Sequence, residues 1–88
     1  MKEVRVVIPN TLGLHARPAS LFVKLAEKFK SKITVEKDGM VVNGKSIMSL
    51  LMLVAECGST LIIKAEGPDE DEAIEALVNL VKDGFGEK

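Results

Sequence analysis

His15 is the only histidine of this 88-residue chain, and Arg17 follows two positions later in the run Gly13-Leu14-His15-Ala16-Arg17-Pro18. A neutral imidazole nitrogen is a good nucleophile near physiological pH. A guanidinium offers a planar cationic fork that matches phosphate oxygens. At a helix start the backbone N–H groups lack helical partners and the dipole favours negative charge. The pair at such a place would form a nucleophile beside an anion cradle. Pro18 would stiffen the turn and restrict the backbone of Arg17. The plainer alternative is that His15 only caps a helix and Arg17 is a solvated surface residue. On pattern alone that alternative is the stronger, because two residues do not make a motif.

Ser46 is a second candidate. It follows Asn43-Gly44-Lys45 and precedes an apolar run from Ile47 to Val54. Serine is a preferred helix N-cap, which explains it without any function. A phosphate on its hydroxyl would also be tolerated at a helix start, and would add roughly -1.5 to -2 charges to that surface. The two roles are compatible. In the run that follows, Met48, Leu51 and Met52 exceed what one buried helical stripe needs. They either lie exposed as an adaptable docking patch or belong to a deeply buried helix, and the pattern does not choose.

Alternation of apolar and polar residues sets the elements that must position these groups. Val4, Val6 and Ile8 alternate with Glu3 and Arg5 in a strand that Pro9 ends. From Ala16 to Phe29 the apolar residues fall at helical spacing, with Pro18 in the first turn, so His15 sits at or next to the N-cap. Ile33 and Val35 mark a second strand, Asp38-Gly39 a two-residue hairpin turn, and Met40 to Asn43 the returning strand. A helix beginning near Ser46 is expected to run until Gly58 breaks it. Leu61, Ile63 and Ala65 mark a fourth strand. Asp69 and Glu72 form a capping-box pattern for a last helix buried through Ala73, Ile74, Leu77, Val78 and Val81 and stopped at Gly84. The order βαββαβα predicts an α+β open-faced β-sandwich, a four-stranded antiparallel sheet with three helices on one face, as one domain over residues 1–88.

Composition removes several function classes. Lys and Arg number 12 against 13 Asp and Glu, a net charge of -1, which lacks the basic excess of a nucleic-acid binder. Three Phe with no Trp or Tyr leave little aromatic surface for stacking bases. One Cys, Cys57, and one His make a poor metal site, and neither metal nor cofactor is expected. The apolar run of the middle helix is far too short to cross a bilayer. The opening MKEVRV has no signal-peptide character, so a cytoplasmic location is expected, without membrane insertion.

Thr11-Leu12-Gly13-Leu14-His15-Ala16-Arg17-Pro18-Ala19 closely resembles the active-site signature of the histidine-containing phosphocarrier (HPr) family, and Lys45-Ser46-Ile47-Met48 resembles that family's regulatory serine segment. The resemblance extends over essentially the whole chain. It implies a stoichiometric carrier of the phosphoenolpyruvate-dependent sugar phosphotransferase system rather than a free-standing enzyme. Enzyme I would phosphorylate His15 at ring Nδ1, and His15 would pass the group to enzyme IIA proteins or domains, with Arg17 steadying it. HPr kinase/phosphorylase would modify Ser46 and weaken the carrier role, and that form would serve a catabolite-repression regulator in some bacteria. Ala16, Ser20, Leu21, Ile47, Met48 and Leu51 would form the docking face of a monomer. Regulatory paralogues that act only through the serine lack the histidine, which is present here. Ser49 and Val54 stand where many relatives carry Gly, and Glu27 where some carry a basic or neutral residue. These departures bear on partner choice. A nitrogen-branch carrier, or a small-ligand-binding regulatory domain on the same sandwich, would also fit the pattern.

Overall fold

The computed structural model describes residues 1–87. Strands β1 (Lys2–Val7), β2 (Lys32–Lys37), β3 (Met40–Asn43) and β4 (Thr60–Glu66) form one antiparallel sheet in the order β1-β4-β2-β3. Helices α1 (Ala16–Ala26), α2 (Ile47–Leu51) and α3 (Glu70–Lys82) alternate with them as the sequence predicts. One face of the sheet supplies the core: Val6 from β1, Ile33 and Val35 from β2, and Leu61, Ile63 and Ala65 from β4, with Val42 of β3 partly buried against them. Period-two alternation brings these residues to a single face. The helices close it with Ala19, Phe22, Val23 and Ala26 of α1 and Ala73, Ile74, Leu77 and Val81 of α3. With so few aromatics, the core is aliphatic around Phe22 and Phe85.

The hairpin between β2 and β3 has its two turn residues, Asp38 and Gly39, at φ 50° and 84°, as a two-residue turn on right-twisted strands requires. Two helices end earlier than their apolar pattern suggests. α1 stops at Ala26, with Glu27 as its C-cap, and Phe29 lies in the turn beyond. α2 stops at Leu51, well before Gly58, because Val54 adopts a left-handed φ of 49° that no helix continues through. A β-branched residue is strained there.

Asp69 does not cap α3 through its side chain. Its carboxylate turns instead to the loop after α1, accepting hydrogen bonds from Lys30 N (2.8 Å), Ser31 N (2.9 Å) and Ser31 Oγ (2.5 Å). Three donors gathered by the tertiary fold outcompete one helix N–H. Glu70 takes over part of the work at the helix start by accepting from Gly67 N at 3.2 Å. The closeness of the two loops shows at Gly67, where a Cβ would lie 2.7 Å from Ser31 Cα.

The Ser31 hydroxyl and the neighbouring backbone N–H groups hold the Asp69 carboxyl below its ordinary range. A group depressed in the folded state stabilises above its unfolded pKa, and loses that contribution as pH falls through the folded value. Asp69→Asn is therefore expected to lower stability at pH 7, and the gap to wild type is expected to shrink on acidification below about pH 4. Urea unfolding of both proteins at pH 7 and pH 3 reads this. An equal gap at the two pH values would show that the ionised carboxylate is not what stabilises the loop pair.

Candidate functional site

The site begins with the loop between β1 and α1. Asn10 is buried, and its Nδ2 donates to Gly13 O at 2.8 Å while Gly13 N returns a bond to Asn10 O at 3.0 Å. Leu14 N then donates to Ala55 O at 2.8 Å. This pins the loop to the segment after α2 and sets His15 as the N-cap residue of α1, in extended backbone. The His15 side chain makes no capping bond, so capping does not account for its presence. Ala16 and Arg17 follow in the first turn, where N–H groups lack helical partners.

The His15 ring is about one-third exposed and engages a residue 72 positions away: Nε2 lies 2.9 Å from Glu87 Oε1. An ionised carboxylate can only accept, so Nε2 carries the hydrogen. In the neutral ring that leaves Nδ1 with the lone pair. Arg17 Nη1 stands 4.0 Å from Glu87 Oε2, with its side chain 71% exposed and free to swing toward a newcomer. Asn10 Nδ2 donates to the same Glu87 oxygen as His15, at 2.9 Å. The His15 hydrogen bond, with that of Asn10 and the charge of Arg17, holds the Glu87 carboxyl below its ordinary range.

Nothing in the sequence pattern points to Glu87. It lies beyond α3, after a short turn at Gly84–Gly86 whose Phe85 is buried. A large apolar residue between two glycines near the end of the chain is the one available signal that this tail folds back.

Beside the ring runs a shallow groove of about 260 Å³ lined by Leu12, Leu14, His15, Leu51, Val54, Ala55 and Glu56. It brings His15 and Leu51 together. Only Leu50 of α2 is buried, so this helix is not deeply buried. Met48 is 73% exposed and Ile47 39%. Ala16 is exposed, while Ser20, Leu21 and Leu51 are half-buried. Leu12, Met52 and Val54, which the pattern did not single out with certainty or at all, extend the apolar surface at 64–72% exposure. Ser46 caps α2, its Oγ accepting from Ser49 N at 3.3 Å, and α2 packs against α1. Lys45, next to it, donates from Nζ to Phe29 O at 2.8 Å and so ties α2 to the end of α1. Cys57 is exposed. Among the described residues no three His, Cys, Asp or Glu side chains gather as metal ligands, and no helix is long and apolar enough to cross a membrane.

A sequence profile described as the PTS HPr component phosphorylation site matches residues 2–83. The chain belongs to the HPr family. The chain is 49% identical to the HPr-like protein Crh of Halalkalibacterium halodurans, over 93% of this chain and 98% of that one. It is 46% identical to the phosphocarrier protein HPr of Treponema pallidum, over 100% of this chain and 98% of that one. The crystal structure of HPr-C-His from Thermoanaerobacter tengcongensis superimposes with a TM-score of 0.96 at 55% identity, covering 100% of this chain and 99% of that one. The open-faced sandwich expected from the pattern is thus the HPr fold, and the family is one of phosphocarriers.

Proposed function

We propose that this HPr-family chain accepts a phosphoryl group from phosphorylated enzyme I on His15 and donates it to enzyme IIA of the sugar phosphotransferase system. The observation that carries the reading is the His15 ring, engaged at Nε2 by Glu87 so that Nδ1 keeps the lone pair, partly exposed at the start of α1 beside Arg17. Phosphoryl transfer asks little covalent chemistry of a protein beyond in-line placement and charge stabilisation. The Nδ1 lone pair attacks phosphorus, the new N–P bond forms as the bond to the donor breaks, and the ring becomes a cation. Arg17 then exchanges the distant Glu87 oxygen for a phosphoryl oxygen. Donation to enzyme IIA reverses these events. One copy of the chain suffices. Ala16, Ser20, Leu21, Ile47, Met48 and Leu51 form the docking face, extended by Leu12, Met52 and Val54. Incubation with phosphoenolpyruvate and enzyme I, followed by mass-spectrometric mapping of acid-labile phosphate, tests the reading. Phosphate on His15 is expected, and no uptake from a demonstrably active enzyme I would defeat it.

Ser46 is the regulatory position in this reading, phosphorylated by HPr kinase/phosphorylase and then presented to a catabolite-repression regulator. Because α1 and α2 pack together, charge at Ser46 would bear on the surface used for docking at His15. Ser46→Asp keeps a good N-cap residue, so the fold should hold. Repulsion of an acidic partner surface is expected to slow transfer from enzyme I by at least about tenfold. Stopped assays of phosphoryl uptake at low and high salt would measure it. Unchanged transfer would rule out electrostatic gating, and a defect insensitive to salt would argue for a steric cause.

A further inference from the structure

The tail carboxylate is too well held to be an incidental neighbour of the imidazole. Phe85, 1% exposed, anchors the turn at Gly84–Gly86, and Glu87 follows it with a side chain only 15% exposed. Asn10 spends both Nδ2 hydrogens there, on Gly13 O and Glu87 Oε1. Its Oδ1 is buried without a partner among the described residues. The flipped amide would aim that oxygen at two acceptors, so the orientation is determined. Buried polar atoms in native proteins are nearly always paired, and an exception at a functional site calls for a reason.

We infer that Asn10 and Glu87 form a positioning pair that keeps a proton on His15 Nε2 through the whole phosphoryl cycle. The inference rests on the carrier reading of His15. The reason is a matter of leaving groups. With Nε2 protonated, the ring that attacks through Nδ1 is neutral imidazole, the phosphorylated ring is a cation, and the ring released on donation is neutral imidazole again. No proton enters or leaves the ring. Loss of the Nε2 proton from the phosphorylated ring would make the departing group imidazolate, a far poorer leaving group. Glu87 accepts from Nε2 and Asn10 holds Glu87 in line, so the ring turns neither edge nor face away from Nδ1 attack.

The test uses the full chain as wild type, Glu87→Ala, Glu87→Gln and Asn10→Asp. Glutamine keeps an acceptor oxygen where Asn10 Nδ2 and His15 Nε2 both need one. Aspartate at position 10 sets a carboxylate against Glu87. Nitrogen-edited NMR of the unphosphorylated ring should show a slowly exchanging Nε2–H in wild type and Glu87→Gln, lost in Glu87→Ala and Asn10→Asp. The maximal rate of phosphoryl uptake from enzyme I should fall about tenfold in the latter two, with half-saturation changed less than about twofold, and return largely with Gln. An unchanged ring proton and rate would overturn the positioning role. A faster Glu87→Ala would overturn it too, by showing that the tail competes with phosphate for Arg17. A wild-type chain that takes no phosphoryl group would defeat the carrier reading itself, whereas the ring-proton comparison judges the Asn10–Glu87 pair without phosphate.

Discussion

His15→Ala should take up no acid-labile phosphate from enzyme I and should still fold. The loss follows from chemistry: His15 is the only histidine, so no other side chain can form a phosphohistidine. The retained fold follows from packing. The ring is more than one-third exposed, makes no helix-cap bond, and contacts a tail that Phe85 and Asn10 hold independently. A partly exposed side chain with so few obligations should cost no more than about 1 kcal/mol. Circular dichroism with a urea midpoint reads the fold, and mass spectrometry reads the phosphate. Phosphate surviving in a folded His15→Ala protein would move the acceptor to another residue. A variant that failed to fold would mean that the Glu87 contact supports far more of the structure than its geometry suggests.

Gly13→Ala has the largest effect expected on stability. Gly13 has φ 69°, a conformation that costs an L-residue roughly 1–2 kcal/mol. Its Cβ would also lie 2.5 Å from Ala55 O and 2.9 Å from Glu56 Cα, both backbone atoms that no rotamer change can move. Forced overpacking adds about 1–3 kcal/mol, so the total is about 2–5 kcal/mol. Domains have a net stability of only about 5–15 kcal/mol, and small ones tend to the low end. The displaced atoms belong to the same segment that accepts from Leu14 N, one residue before His15. Phosphoryl uptake should therefore fall even below the unfolding temperature. Gly39→Ala is the control: its φ of 84° is also left-handed, but among the described residues no atom beyond its chain neighbours lies within 4 Å of the added Cβ. Urea unfolding should show the Gly13 variant losing about 1–3 kcal/mol more than the Gly39 variant. Equal losses would leave backbone conformation as the whole explanation and remove the close approach to Ala55.

Backbone conformation also matters at position 54. Val54 holds a left-handed φ directly beside the groove that carries His15. Its exposed side chain enlarges the apolar rim of that groove.

What the sequence determined by itself is local. Period-two and period-3.6 patterns, Pro18 near a helix start, Ser46 before an apolar run and Asp38-Gly39 between strands each report on neighbours a few residues apart, where sterics and hydrogen bonding are settled by residue type. They were enough for the four strands, the three helices, the N-cap position of His15 and the capping role of Ser46. Tertiary structure decided what depends on distant partners. Asp69 left its local cap for Lys30 and Ser31, 39 and 38 residues away, because three converging donors outweigh one. Met48 and Met52 remained exposed because α2 is short and lays only Leu50 into the core, a matter of where the sheet's covered face ends and not of hydrophobicity. Glu87 reached His15 because Phe85 needed burial and folded the tail back across the start of α1. No periodicity encodes a contact across 72 residues. It exists because the fold brings β1, α1 and the end of α3 to one edge of the molecule.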